Sequence, residues 1–285
     1  MKPAPFDYRV ASDLGHAVEL LDQTAVGAKA LAGGQSLVPL MNLRKITPGL
    51  VVDISRCKES SGIRDDGDYL AIGALATYRS LEDSALVRTA CGLLGAALRY
   101  VGSPAVRNRG TIGGSLSHAD PTAELPTVVA ALGGELTVIG PRGERRVEFD
   151  EFCTGPYEVA LGQAELISEV RLPKLPRSAG YGFAEVSRRY ASSAQIATAA
   201  VIQLSSDVVS TAWIAVSGLA SVPTRARLAE DRLRGQLPTA EAFDEAALAA
   251  VDELVAVDDD PYRRQLARVV VNRALAAARR HGTEH

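Results

Sequence analysis

Residues 31–44 read LAGGQSLVPLMNLR, and a second glycine pair with a hydroxyl residue close behind returns in GTIGGS at 110–115. Glycine lacks a Cβ and tolerates positive φ, so a glycine pair at a turn lets main-chain N–H groups approach a ligand, as phosphate-binding loops do. Neither stretch contains a lysine. An anion held here would rest on backbone N–H groups and on the hydroxyls of Ser36, Thr111 and Ser115, with Arg107 and Arg109 supplying attraction at longer range. A single Gly-Gly is usually only a tight turn, but two in matching contexts point to a crevice. The pattern is neither GxGxxG after a first strand nor GxxxxGK[ST], which disfavours both Rossmann dinucleotide binding and a P-loop.

Working outward, the spacing of Leu14, Ala17, Val18 and Leu21 predicts a helix capped by Ser12, followed by a short strand that ends at Gly33 and Gly34. LVVDIS (50–55) and YLAIGAL (69–75) read as strands separated by turn material that includes DDGD (65–68), and Thr77 reads as a helix cap. ALVRTACGLLGAALRYV (85–101) carries apolar residues at helical spacing, predicting one mostly buried helix that leads into the second glycine loop. Beyond it come a helix start at TAELP, a hairpin over ELTVIG-PRGE-RRVEF and a strand at ELISEVRLP. The prolines and glycine of LPKLPRSAG mark a domain boundary. Three strands then follow, with Ser205, Ser206 and Asp207 turning between the last two. Three helices, around 224–234, 239–256 and 260–280, close the chain, the last opened by Asp260-Pro261. Mixed elements without strict βαβ alternation give an α+β fold class.

Composition sets the outer limits. With 285 residues at about 150 per domain, roughly two domains or a two-lobed unit are expected. The 47% apolar and 23% charged content is that of an ordinary soluble globular protein, and a formal charge of −3 offers no field for polyanions, so no nucleic acid is expected as a partner. No apolar run is long enough for a membrane span, and MKPAPFDYRV has no secretory layout, so a cytoplasmic location is expected. Cys57, Cys91 and Cys153 stand far apart, as buried thiols would. Together with four histidines, of which only His118 lies near a motif, they suggest no metal site and no iron–sulfur cluster in this chain. No nucleophile–base arrangement stands out, so no catalytic residue is assigned.

These loops, together with FCTGPYEVALGQAELISEVRLP (152–173), resemble the FAD-binding medium subunit of molybdenum hydroxylases. That family includes the flavoprotein subunits of carbon monoxide dehydrogenase, nicotine dehydrogenase and bacterial xanthine dehydrogenases, and the likeness runs essentially end to end. The resemblance implies a two-lobed FAD-binding domain of the vanillyl-alcohol-oxidase (PCMH) type over 1–176, with lobes of about 1–57 and 58–176, and a smaller C-terminal α+β domain over 177–285. It further implies that Ala32, Gly33, Gly34, Gln35, Ser36 and Leu37 wrap the cofactor's diphosphate from one side and Thr111, Ile112, Gly113, Gly114 and Ser115 from the other. Glu124 would bond ribose or ribityl hydroxyls, and Ile167 would make an apolar contact to the adenine or neighbouring cofactor. Gln35 stands where a tethering histidine occurs in covalent flavoproteins of the wider fold, so a non-covalent FAD is expected.

The function implied is that of an electron-transfer oxidoreductase subunit. A large partner carries the molybdenum cofactor, a small partner carries [2Fe–2S] clusters, and the whole is a dimer of heterotrimers that delivers electrons to an external acceptor. The chain departs from the pattern in two places: Ser192 and Ser193 stand where many relatives have an Asp and an aromatic, with Tyr190 beside them reading as a surface or interface tyrosine, and Glu185 replaces a common Lys. A stand-alone flavin oxidoreductase and an interaction subunit without flavin remain as alternatives.

Overall fold

A computed structural model describes residues 2–23, 27–189, 192–255 and 260–283; Tyr190 lies outside them. Its first layer is a parallel sheet of β1 (Asp7–Val10), β2 (Ala28–Leu31) and β3 (Leu50–Asp53), ordered β1-β3-β2, with Leu50 opposite both Asp7 and Ala28. Helix α1 (Leu14–Asp22) covers it with Leu14, Ala17, Val18 and Leu21, the residues at helical spacing. Its cap is Asp13, whose carboxylate accepts from the His16 N–H at 2.8 Å, and Ser12 donates its hydroxyl to Asp13 instead of capping. A charged acceptor one residue nearer the helix suits the positive end of the dipole better. Helix α2 (Leu37–Asn42) follows the first glycine loop.

The second layer is an antiparallel sheet ordered β4-β5-β10-β6-β7. It is built from β4 (Ile63–Asp66), β5 (Tyr69–Gly73), β6 (Glu135–Gly140), β7 (Gly143–Glu148) and the central β10 (Leu166–Pro173). The turn expected over 65–68 is shorter than its composition suggests, because Asp65 and Asp66 belong to β4. Lys174 (2.6 Å) and Arg171 (3.2 Å) pair with their carboxylates, which makes acidic residues tolerable in a strand. The small β8 (Cys153–Gly155) and β9 (Glu158–Val159) pair with each other.

Helices α3 (Tyr78–Asp83), α4 (Ala85–Ala90), α5 (Gly92–Leu98), α6 (Pro104–Arg107), α7 (Ile112–His118), α8 (Glu124–Leu132) and the short α9 (Phe149–Phe152) accompany this sheet. Leu93, Leu94, Leu98, Leu125 and Val128 share its core with Leu70, Ile72, Val170 and Leu172. The single helix expected over 85–101 is broken at Cys91, which takes φ −150° and ψ 62°. Two long-range contacts hold the break: Leu175 N–H takes the Ala90 carbonyl, and the Tyr181 ring lies so close to Gly92 that a β-carbon there would stand 2.3 Å from it.

The third layer is an antiparallel sheet of β11 (Ala179–Ser187), β12 (Ala194–Ser205), β13 (Val208–Ser217) and β14 (Thr224–Arg225), in that order. Ser206 and Asp207, both at positive φ, make the two-residue turn between β12 and β13. Helices α10 (Arg227–Leu233), α11 (Ala240–Leu254) and α12 (Pro261–Thr283) pack on one face; the first starts later than expected because Thr224–Arg225 pair with Val216 and Ala215. Strand β12 has no solvent face over most of its length. Ala197, Ala199 and Val201 join the core of the second layer, while Ile196, Ala200 and Ile202 join the helices behind. The period-two alternation of one strand thus seals two cores together.

Candidate functional site

The first glycine loop leaves β2 at Leu31, turns at Gly34 with φ +73° and enters α2 at Leu37. Gly33 lies against the second loop: a β-carbon there would sit 2.0 Å from the Arg109 carbonyl oxygen and 3.0 Å from Gly110 Cα. No other residue fits that contact. Past it, the backbone N–H groups of Gly33, Gly34, Gln35, Ser36 and Leu37 meet no acceptor among the described residues, and Ser36 provides no side-chain cap. The Gln35 side chain turns back to donate to the Gly33 carbonyl at 3.1 Å. Run together at a helix start, such donors form a concavity for an anion.

The second loop is built the opposite way. Ser103 caps α6, the chain folds back, and residues 110–113 run beside 74–78. Tyr78 N–H donates to Gly110 O (2.9 Å), Ile112 N–H to Ala76 O (3.1 Å) and Gly113 N–H to Ala74 O (2.8 Å). A β-carbon on Gly113 would come within 2.6 Å of the Ala74 methyl. Gly114 N–H donates to Thr111 Oγ1 (3.1 Å) and Ser115 N–H to Thr111 O (3.0 Å), so over 110–115 only the Thr111 N–H remains open. Thr111, Ile112 and Gly113 are buried, while Gly114 is exposed. The main-chain donors of this loop, Thr111 apart, are thus taken up within the protein, and the first loop is the donor cradle.

Of the two upstream arginines, Arg107 is already engaged. Its Nε pairs with Glu82 (3.1 Å) and its Nη1 donates to the Val101 and Gly102 carbonyls, bracing the loop. The Arg109 side chain is exposed, with no ion pair among the described residues, and is the cation left for long-range attraction.

Glu124 opens α8, behind an Ala123 that offers no side-chain cap. Burial, with Asp120 adding its charge, raises its pKa above the ordinary carboxyl range. Tyr78, which the sequence did not single out, joins it to the second loop. Its buried phenol is pushed up to about 12, chiefly by desolvation, with the charge of Glu124 acting in the same direction and the nearby Ser115 side chain acting against it. Glu185 on β11 also feels Glu124. Its carboxyl is pushed up to about 8, first by burial and then by that charge, and its Oε2 is buried without a hydrogen-bond partner. A tyrosine after a helix cap and a glutamate in a strand carry no mark of a site in sequence; only the fold brings them together.

Ile167 lies in β10 opposite Val138, 5% exposed, in the same core as Ile112. It is tied to the loops by its neighbour, since Ser168 O accepts from Ala74 N–H at 2.9 Å and Ala74 O from Gly113. His118 packs against the Tyr157 ring, with centroids 5.1 Å apart. All three cysteines are buried thiols, and desolvation raises each well above its ordinary value.

The chain is similar to known proteins over nearly its whole length. Residues 4–175 match the family model described as the FAD binding domain in molybdopterin dehydrogenase, and residues 181–278 match the CO dehydrogenase flavoprotein C-terminal domain. The chain is 39% identical over 283 residues to 6-hydroxypseudooxynicotine dehydrogenase complex subunit alpha of Paenarthrobacter nicotinovorans, covering 98% of this chain and 96% of that one. It is 35% identical to the carbon monoxide dehydrogenase medium chain of Hydrogenophaga pseudoflava, covering 98% of each. The solved carbon monoxide dehydrogenase of that organism superimposes with a TM-score of 0.94 at 36% identity over 99% of both chains. Quinoline 2-oxidoreductase of Pseudomonas putida 86 does so with 0.94 at 30%, again over 99% of both. The α+β architecture expected from the sequence is the one these structures share.

Proposed function

Because this chain belongs to the family of FAD-binding subunits of molybdenum hydroxylases, we propose that it collects electrons from [2Fe–2S] clusters of a small partner and passes them to an external acceptor. It is a flavoprotein subunit of an oxidoreductase, FAD is its cofactor, and the molybdenum and iron–sulfur centres belong to partner chains. The reading extends to a dimer of heterotrimers with a large molybdenum-cofactor subunit. It also extends to a cytoplasmic location, in keeping with three thiols left unpaired. Among the described residues no helix is long and apolar enough to cross a membrane. The domain division at 176/177, with lobes meeting near 57/58, belongs to the same proposal.

The observation that carries the cofactor assignment is the open row of N–H groups from Gly33 to Leu37, beside a second loop whose main-chain donors, Thr111 apart, are spent. An anionic bridge satisfies such a row without a lysine. Ala32 and Gln35 frame it, and Thr111, Ile112, Gly113, Gly114 and Ser115 limit it on the far side. Glu124 accepts from sugar or ribityl hydroxyls, and Ile167 stiffens the apolar floor behind the second loop. Bound there, FAD supplies an electron store that takes up and gives out electrons. The residues of this chain position it, neutralise its diphosphate and exclude water. Gln35 offers no nucleophile for a covalent tether, so the flavin is non-covalent.

Native mass analysis of the purified complex with its visible spectrum tests the reading. The expected result is co-purification with a large chain and a small cysteine-rich chain, with flavin and iron–sulfur absorption. A chain that purifies alone and turns over a small organic donor, or one that stays colourless after incubation with FAD, overturns it.

A further inference from the structure

We propose that a cavity at the outer edge of β11 is a second ligand site, taking a planar aromatic ring that bears one anionic group. The cavity holds about 340 Å³ and is lined by Tyr100, Phe183, Glu185, Arg273, Ala277 and Arg280 among others, which is the size at which small-molecule sites begin, roughly 300 Å³. Strand β11 pairs only with β12, so the cavity lies against a sheet edge, with α12 on its other side.

Three features select the ligand. Tyr100 and Phe183 form a tilted ring pair with centroids 5.4 Å apart, and Tyr100 is 37% exposed, so part of an aromatic surface is left uncovered. Arg273 and Arg280 stand seven residues apart on α12, hence on one face and about 10 Å apart along the axis. Arg273 has no ion pair among the described residues. Small side chains at Ala276 and Ala277 keep the space between them open. Glu185 supplies the third feature, a buried carboxyl oxygen with no partner.

The charges facing Glu185 decide the sign of its effect. Glu124 approaches from α8 and disfavours ionisation, Asp120 acts on Glu124, and the α12 arginines line the same cavity. With its proton, Glu185 is a hydrogen-bond donor that suits a carboxylate or phosphate oxygen; ionised, it repels one. Neither Arg273 nor Tyr100 enters the FAD assignment, so the failure of this site and that of the FAD reading are separable.

The test is calorimetric titration of the full flavin-free chain with 2-naphthoate, AMP and uncharged 2-naphthylmethanol, below and above the titration of Glu185. Expected is saturable binding of an anionic probe, weakened about tenfold by Arg273→Ala, the size of one lost charge-assisted contact. Binding should weaken at the higher pH in the native chain and hold in Glu185→Gln, which keeps a donor and cannot ionise. Tighter binding of AMP that Arg273→Ala weakens identifies a nucleotide phosphate as the source of the anion, and tighter binding of 2-naphthoate that Arg273→Ala weakens identifies an aromatic acid. No binding of either anion, equal binding of 2-naphthylmethanol, an unaffected Arg273→Ala chain, or a pH effect that persists in Glu185→Gln each overturns the proposal.

Discussion

Gly33 and Arg109, 76 positions apart in sequence, stand in direct backbone contact, with room for no side-chain atom between them. The cradle of N–H groups exists because of that contact: it fixes where the first loop turns and sets its open donors beside the second loop. Substituting Gly33 by Ala forces the Arg109 carbonyl to move. The expected outcome is loss of most bound FAD, read from the flavin-to-protein absorbance ratio, in a chain that keeps its far-ultraviolet circular dichroism. Gly95, inside α5 with open space around it, is the control: Gly95→Ala should stabilise by about 0.5–1 kcal/mol and leave flavin content unchanged.

Tyr78→Phe removes a buried phenol oxygen beside Ser115 and Glu124 and keeps the ring against Gly110. Stability should change by no more than about 1 kcal/mol, the scale of one buried polar contact. FAD affinity should weaken several-fold by fluorescence titration. Unchanged affinity would show that Ser115 is positioned without Tyr78.

Two carboxyls should bend the stability profile in opposite senses. Glu185 titrates higher in the folded chain, at about 8, than the ordinary 4.5. Its contribution is therefore complete below about 4.5 and is lost as pH rises through about 8. Glu165, held by the Arg145 guanidinium and the Gly162 N–H, drops to about 2, so its contribution is present above 4.5 and lost as pH falls toward 2. Scanning calorimetry of Glu185→Gln should show the alkaline slope flattened and the acid slope intact; Glu165→Gln should show the reverse.

The C-terminal core has its own weak point. Glu230 is 5% exposed and accepts from Ile214 N–H at 2.9 Å and from the Arg225 guanidinium at 2.9 and 2.6 Å. Glu230→Ala strands a half-buried cation and a buried main-chain donor, and a loss of about 3 kcal/mol in chemical denaturation is expected. A loss below 1 kcal/mol would mean that water reaches Arg225.

Where the physics was local, the sequence was readable. The spacing of Leu14, Ala17, Val18 and Leu21 buries those four residues, Thr77 caps its helix, and both glycine loops lie at turns that touch. What depended on distant partners was not readable. Cys91 breaks a helix because of Leu175 and Tyr181, about 85 to 90 positions away. The unequal roles of the two loops depend on residues 74–78 taking up the donors of one and not the other. Arg107 reads as an attractive charge until Glu82 is seen to hold it. Glu185 reads as an ordinary strand glutamate until Glu124 and burial act on it.

The central claim is that the open main-chain donors from Gly33 to Leu37 grip the diphosphate of FAD. A crystal structure of the FAD-loaded chain tests it most directly. The account predicts diphosphate oxygens within hydrogen-bonding distance of those N–H groups. Full-occupancy flavin elsewhere, with the Gly33–Leu37 donors facing only solvent, would contradict it.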